Sequence, residues 1–285
     1  MRTSGWPGYA LLDSGHGRKL ERFGAMTVVR PEPQCLWRPD RSDWGDADAI
    51  FEAGDEDESG HWRTLRPVPD AWPVAWNDLR VNARLTAFRH MGLFPEQAAN
   101  WAWLQARTRA APPGPRILNL FGYTGVASLA VAAMGAAVTH VDASKKAMNW
   151  ARENAALSNL AAAPIRWICE DAPKWVAREL RRGATYDGII LDPPKYGRGP
   201  AGEIWRLYEN LPELLTGCAA LLSDQASFLL LNAYAERISG LALCGLLTQA
   251  MTGRGGAIEW GELALTQDGG GRGLGLSFFA RWSRA

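Results

Sequence analysis

Apolar and polar positions follow two different patterns along the 285 residues, and the change falls near residue 90. In the first part, short apolar runs flank turn residues. YALLDSGHGRKLERFGAMTVVRP carries two such runs around Ser14-Gly15-His16-Gly17, and HWRTLRP and the alternating LRVNARLTAF add further strand-like pieces. This predicts a small, mostly β N-terminal module over residues 1–90. From Pro95, PEQAANWAWLQARTRA has proline at a helix start, an acid in the first turn and Trp101 and Leu104 at helical spacing, and APPGP breaks it.

After Arg116 the period switches back and forth. RILNLF, AAVTHVD, PIRWICE, YDGIILD and SFLLLNA read as strands. VASLAVAAMG, SKKAMNWARENAALSNL, DAPKWVARELRRG, EIWRLYENLPELLTGCAALL and ERISGLALCGLLTQAMTG read as the helices between and after them. AIEWGELAL and GLSFFARW, joined by TQDGGGRGL, close the chain as a hairpin. Strands alternating with helices predict an α/β, Rossmann-like parallel sheet over residues 91–285, with ligands at the C-terminal ends of the strands.

Composition adds limits. A hydrophobic fraction of 47% with 21% charged residues is that of a globular protein. No apolar run approaches a membrane span and the N-terminus lacks a secretory h-region, so the expectation is a cytoplasmic protein with no membrane partner. Cys35, Cys169, Cys218 and Cys244 show no paired spacing, which predicts neither disulfides nor a metal site. Net charge is +1, but residues 40–58 hold nine acids against Arg41 alone, leaving about +9 on the rest of the chain. A basic body with one acidic loop suits a polyanionic partner such as RNA, and equally suits a solvated acidic loop on a protein that touches none.

The candidate chemistry lies at four strand ends. The first is Asn119-Leu120-Phe121-Gly122-Tyr123-Thr124-Gly125, a glycine turn into a helix, where backbone can approach a ligand. About 20 residues past the first glycine comes Asp142-Ala143-Ser144, the spacing of an acid that holds a ribose diol, or alternatively a helix cap. Glu170-Asp171-Ala172 follows the third strand, where a carboxylate can accept from an adenine amine or again cap a helix. The fourth end is Asp192-Pro193-Pro194-Lys195-Tyr196. Its prolines fix φ and offer no N–H, leaving the Asp192 side chain and the Pro193 carbonyl as acceptors, with Tyr196 able to stack on a planar substrate.

NLFGYTG, VDAS, EDA and DPPKYG in this order resemble the class I S-adenosylmethionine-dependent methyltransferases, and within them the bacterial 23S ribosomal RNA methyltransferases with a small RNA-binding domain ahead of the catalytic one. The resemblance implies a seven-stranded sheet with the last strand antiparallel, S-adenosylmethionine as cofactor, and RNA, ribosomal RNA above all, as partner. It also implies that FRHMGLFPEQAANW closes over the cofactor, with Gln97 touching it. The N-terminal module matches the group's RNA-binding domain poorly. An NAD enzyme would want G-x-G-x-x-G for a pyrophosphate, and this turn has only G-x-x-G.

The resulting expectation is methyl transfer with Asp192, Pro193, Lys195 and Tyr196 at the acceptor. The alternatives are a methyltransferase of a small molecule or protein, and a non-catalytic RNA binder that keeps the fold. Relatives that modify cytosine C5 place a cysteine after the fifth strand, where this chain has Asn232-Ala233-Tyr234, so covalent C5 chemistry is not expected. Arg18, Lys19 and Arg22 are candidate phosphate contacts or a solvated basic hairpin. Arg272 is a candidate for the border of the acceptor pocket, and the oligomeric state is left open.

Overall fold

The computed structural model describes residues 1–54, 59–234 and 238–284. Asp55, Glu56, Asp57 and Glu58 of the acidic stretch lie outside them. The chain divides into two compact units, residues 1–99 with 264–276, and residues 100–263 with 277–285.

The first unit begins with β1 (Arg2–Thr3), which runs parallel to Ala264 and Leu265 of the returning segment. β2 (Tyr9–Gly15), β3 (Arg18–Phe23), β4 (Met26–Pro31), β5 (Ala49–Ala53) and β6 (Gly60–Thr64) form a five-stranded sheet in sequence order. Only β4 and β5 pair in parallel. β7 (Trp72–Trp76) and β8 (Leu79–Ala83) make a separate hairpin.

The acidic stretch, read from sequence as a loop, contains β5. Ala49 and Phe51 face inward and are buried while Ile50 and Glu52 are partly exposed, so period-2 burial overrides the local charge. Asp13 organises the preceding loop by accepting from the backbone N–H groups of Ser14, Asp40 and Arg41 and from Trp44 Nε1. Burial alone would raise its pKa, but these donors hold it below the usual value.

The basic residues of β3 are committed inside this unit. Lys19 is buried and pairs with Glu21 and Glu32 at 3.8 and 3.6 Å. Arg22 donates to the Pro7 and Gly24 carbonyls, and Arg18 lies over the Trp44 ring. Lys19 is therefore neither a phosphate contact nor a solvated charge. Arg272 also belongs here, pairing with Asp40 at 3.2 Å and donating to the Arg38 carbonyl.

The second unit takes in most of α1 (Ala98–Ala110), whose Trp101 and Leu104 are buried. It then alternates β9 (Arg116–Leu120), α2 (Val126–Ala132), β10 (Ala137–Asp142), α3 (Lys145–Leu157), β11 (Ile165–Cys169), α4 (Ala172–Arg181) and β12 (Gly188–Leu191). A small ribbon, β13 (Tyr196–Arg198) with β14 (Ile204–Arg206), precedes α5 (Leu207–Leu221), β15 (Phe228–Ala233) and α6 (Gly240–Ala250). The closing hairpin is β16 (Ala257–Thr266) and β17 (Gly273–Ser283), whose tips belong to the first unit.

The sheet order is β1-β16-β17-β15-β12-β9-β10-β11, so the short β1 adds an eighth, edge strand to the seven expected. β9 to β12 and β15 are mutually parallel and β17 is antiparallel to β15, as the resemblance implies. The core strands are apolar runs, such as Phe228–Ala233 buried at every position, because helices cover both faces of a parallel sheet.

The second unit also differs from the sequence reading, at the β13–β14 ribbon. The helix expected from Glu203 starts at Leu207, and Ile204–Arg206 is a strand because Trp205 is buried between exposed Ile204 and Arg206. No helix among the described residues is long and apolar enough to cross a membrane.

Candidate active site

Pairing of β12, β9, β10 and β11 as sheet neighbours brings the four predicted motifs to adjacent C-terminal strand ends. Their location is the crevice where α/β sheets bind ligands. Gln97 lies in the first unit, in the 3-10 turn Pro95–Gln97, and is buried.

The glycine turn has internal reasons for both glycines. A Cβ at Gly122 would sit 2.3 Å from His140 Cε1, so the buried His140 ring occupies the space a side chain needs. Gly125 has φ +87° and would press a Cβ to 3.0 Å from that of Ala151. Phe121 and Tyr123, by contrast, hold φ of +57° and +49° without being glycine. Such conformations cost about 1–3 kcal/mol each and persist where the surroundings enforce them, often at ligand sites.

Those surroundings are specific. Asn119 Nδ2 donates to Ser128 Oγ at 2.8 Å, and Ser128 Oγ lies 2.9 Å from His140 Nδ1. The Asn119 side chain is thus engaged beneath the turn. Thr124 is buried and its carbonyl accepts from Asn154 Nδ2. The Phe121 ring meets Trp205 at 4.9 Å and Tyr123 faces Trp150 at 6.2 Å. Burial drives His140 down to about 3, with Arg152 adding to it, so the ring under the turn is neutral.

Asp142 closes the turn from β10. Its Oδ2 accepts Tyr123 N–H and its Oδ1 accepts Ser144 N–H, both at 2.8 Å. Ser144, whose Oγ accepts Ala147 N–H, caps α3, so Asp142 does not. Burial raises the Asp142 pKa and the two N–H groups oppose the rise. Each oxygen keeps a lone pair for a further donor. The neighbouring Tyr123 phenol is pushed up to about 12, by burial and then by Asp142.

At the end of β11, Asp171 is a cap: its Oδ1 accepts Lys174 N–H at 3.1 Å, with Ala172 opening α4. Burial raises its pKa. Glu170 accepts from Asp171 N–H and from Arg178 Nη2. Cys169 is exposed and sits beside Asp142 in the β10–β11 pairing, its Sγ 3.6 Å from the Ala143 carbonyl oxygen.

The end of β12 is held by a residue outside the predicted set. Asn232, buried at the end of β15, donates Nδ2 to Asp192 Oδ1 at 2.8 Å, and its own Oδ1 is buried with no partner among the described residues. A polar residue inside the apolar run LLLNA was the available sequence signal. Pro193 is buried while Lys195 and Tyr196 are exposed. The Pro194 carbonyl accepts from Trp205 Nε1 at 2.7 Å, which ties the acceptor motif to the ring that packs on Phe121. Cys218 is buried in α5, where burial raises its thiol pKa, and Cys244 lies on α6.

A mostly parallel sheet with a glycine turn, an acid on the next strand and Asp-Pro-Pro at the crevice defines a class of adenosyl-cofactor-binding α/β proteins. Residues 51–233 match the model of the S-adenosylmethionine-dependent methyltransferases, and the chain belongs to that family. A relative named ribosomal RNA large subunit methyltransferase K/L from Shewanella frigidimarina is 32% identical over 155 residues, 54% of this chain and 21% of that protein. The protein of the same name from Alteromonas mediterranea is 31% identical over 177 residues, 61% of this chain and 24% of that one. The matched region thus spans about a fifth to a quarter of the length of these curated relatives.

Among solved structures, a SAM-dependent methyltransferase from Agrobacterium tumefaciens superposes with a TM-score of 0.97 at 48% identity, covering 100% of this chain and 93% of that one. A protein from Streptococcus mutans shares the fold at a TM-score of 0.75 and 17% identity, covering 97% of this chain and 75% of that one.

Proposed function

We propose that this protein methylates RNA, ribosomal RNA first among candidates, in the cytoplasm. The observation that carries the methyltransferase reading is the convergence of the Phe121–Gly125 turn, Asp142 and Asp192 at three adjacent strand ends. The RNA reading is supported by the names of the relatives and by the basic balance of the chain outside residues 40–58.

The residues fit S-adenosylmethionine. Asp142 is a desolvated carboxylate that accepts from the N–H groups of Tyr123 and Ser144, and a ribose diol supplies two further donors its oxygens accept. Tyr123, Thr124 and Gly125, with Phe121 and Gly122, form the turn around the methionine end. Ala143, Ser144, Glu170, Asp171 and Ala172 border the adenine, with Asn119 acting through Ser128. When bound, the cofactor supplies a methyl group activated by a sulfonium.

The protein's own work is then to align a nucleophile behind that methyl. Asn232 fixes Asp192 so that its carboxylate accepts an N–H of the acceptor and disperses the positive charge that grows on nitrogen. Pro193 and Pro194 keep this acceptor edge rigid, while Lys195 and Tyr196 flank it. No cysteine stands at Asn232-Ala233-Tyr234 to activate a cytosine carbon, which favours an acceptor already nucleophilic.

The test is transfer of label from S-adenosylmethionine to naked ribosomal RNA, intact subunits and a protein extract, all from cells lacking the gene. Label in RNA, located by nucleoside digestion, is expected. Label in protein alone would overturn the RNA reading, and cofactor binding without any transfer would overturn catalysis.

A further inference from the structure

We propose that the β13–β14 ribbon is a platform for single-stranded RNA that grips nucleotides flanking the acceptor; this rests on the RNA reading above. The register pairs Tyr196 with Arg206, Gly197 with Trp205 and Arg198 with Ile204. Residues directly opposite in an antiparallel pair share a face, and alternate residues switch face. Tyr196, Arg198, Ile204 and Arg206 therefore make up one face, and Gly197 and Trp205 the other.

The two faces have different duties. Trp205, 3% exposed, anchors the ribbon through Pro194 and Phe121. The opposite face packs against little: Tyr196 and Ile204 are 50% and 54% exposed, and Arg198 and Arg206 are exposed. Two large apolar surfaces on strands of three residues do nothing for folding that Trp205 does not already do. An aromatic ring interleaved with guanidinium groups is instead how proteins hold unpaired nucleotides, by stacking on bases and pairing with phosphates.

Charge favours the same partner. Residues 194–208 carry Lys195, Arg198 and Arg206 against one acid, Glu203, and that acid is already paired with Lys174. Arg206 meets Glu209 at 3.2 Å in an exposed pair, weak enough for a phosphate to displace. The ribbon also starts four residues after Asp192, directly following the acceptor motif along the chain.

The experiment is fluorescence anisotropy of the full chain with a labelled single-stranded RNA of about 12 nucleotides, with calorimetry of S-adenosylhomocysteine as the check on folding. Tyr196→Ala is expected to weaken RNA binding about 5- to 100-fold, while Tyr196→Phe keeps it. Arg198→Ala is expected to weaken binding and to lower the salt slope by about 1. All three should bind S-adenosylhomocysteine as the unaltered chain does. If Tyr196→Ala and Arg198→Ala bind RNA undiminished, the ribbon assignment is wrong and the RNA reading stands. If the unaltered chain binds the cofactor product but no RNA, or prefers an acidic peptide, the RNA reading fails and the platform with it.

Discussion

The side-chain amide of Asn232 donates to Asp192 Oδ1 at 2.8 Å, joining the end of β15 to the end of β12. The bond leaves Asn232 Oδ1 buried without a partner among the described residues and fixes the direction of the Asp192 carboxylate. Asn232→Ala is expected to lower kcat/KM for methyl transfer by about 100-fold, the effect of misplacing a reacting group by about 1 Å. Calorimetry with S-adenosylhomocysteine should show little change, since the loss falls on the acceptor side; a parallel loss of product affinity would refute this division.

Asp142 is expected to hold the cofactor's ribose. Asp142→Ala should weaken S-adenosylhomocysteine binding by about 1.5–3 kcal/mol, the worth of hydrogen bonds to a charged group. Burial raises the folded pKa of Asp142, so its ionised form is lost on acidification from above the ordinary carboxylate value of about 4. Affinity measured at stepwise lower pH should fall in that window for the unaltered chain and stay flatter in Asp142→Asn. Equal affinity of Asp142→Ala and the unaltered chain would remove Asp142 from the site.

Gly122→Ala tests the packing beneath the turn. The added Cβ meets three ring atoms of buried His140, at 2.3, 2.5 and 3.0 Å, so a loss of about 1–3 kcal/mol in stability is expected from denaturant midpoints. Gly135→Ala provides no such clash, because nothing lies within 4 Å of its Cβ, and any loss there comes from its φ of +87°.

In the first unit, Glu21 has no solvent exposure and receives Arg30 Nε and Nη2 at 2.8 Å, together with the Tyr9 hydroxyl. Burial would raise Glu21, but Arg30 and Lys19 outweigh it and hold its pKa low. Arg30→Met should cost about 3–5 kcal/mol by leaving a buried carboxylate without its main partner. Chemical denaturation of the full chain measures it, and a loss below about 1 kcal/mol would show that Lys19 and Tyr9 suffice.

Two histidines set the mild-acid behaviour. Burial lowers both His90 and His140 to about 3, with Arg30, Arg89 and Lys19 adding at His90. Below about 6.5 the unfolded chain binds protons that these folded rings refuse, so stability falls as pH drops from 6.5 toward 3. Asp142 and Asp171, raised by burial, act in the opposite sense nearer the carboxylate range. Urea midpoints at pH 7 and 5 should therefore differ, and by less in His90→Gln.

The order and kind of the elements in the second unit were legible because apolar runs and helical periods are local properties. Strands buried on both faces are mostly apolar, and Asp142 and Asp192 announced themselves as acids at the ends of such runs. β5 and β14 were not legible, because burial of Phe51 and Trp205 outvoted a run of acids in one case and helix-compatible neighbours in the other.

By itself, the sequence determined the α/β alternation, the antiparallel last strand through its hairpin, and the four motifs, since each depends on residues close together in the chain. Only the tertiary structure decided that Gly122 is glycine on account of His140, that Ser144 rather than Asp142 caps α3, and that Asn232 orients Asp192 from 40 residues away. Those facts rest on strand register and side-chain packing, and a pattern read along one chain does not contain the neighbour that fills the space.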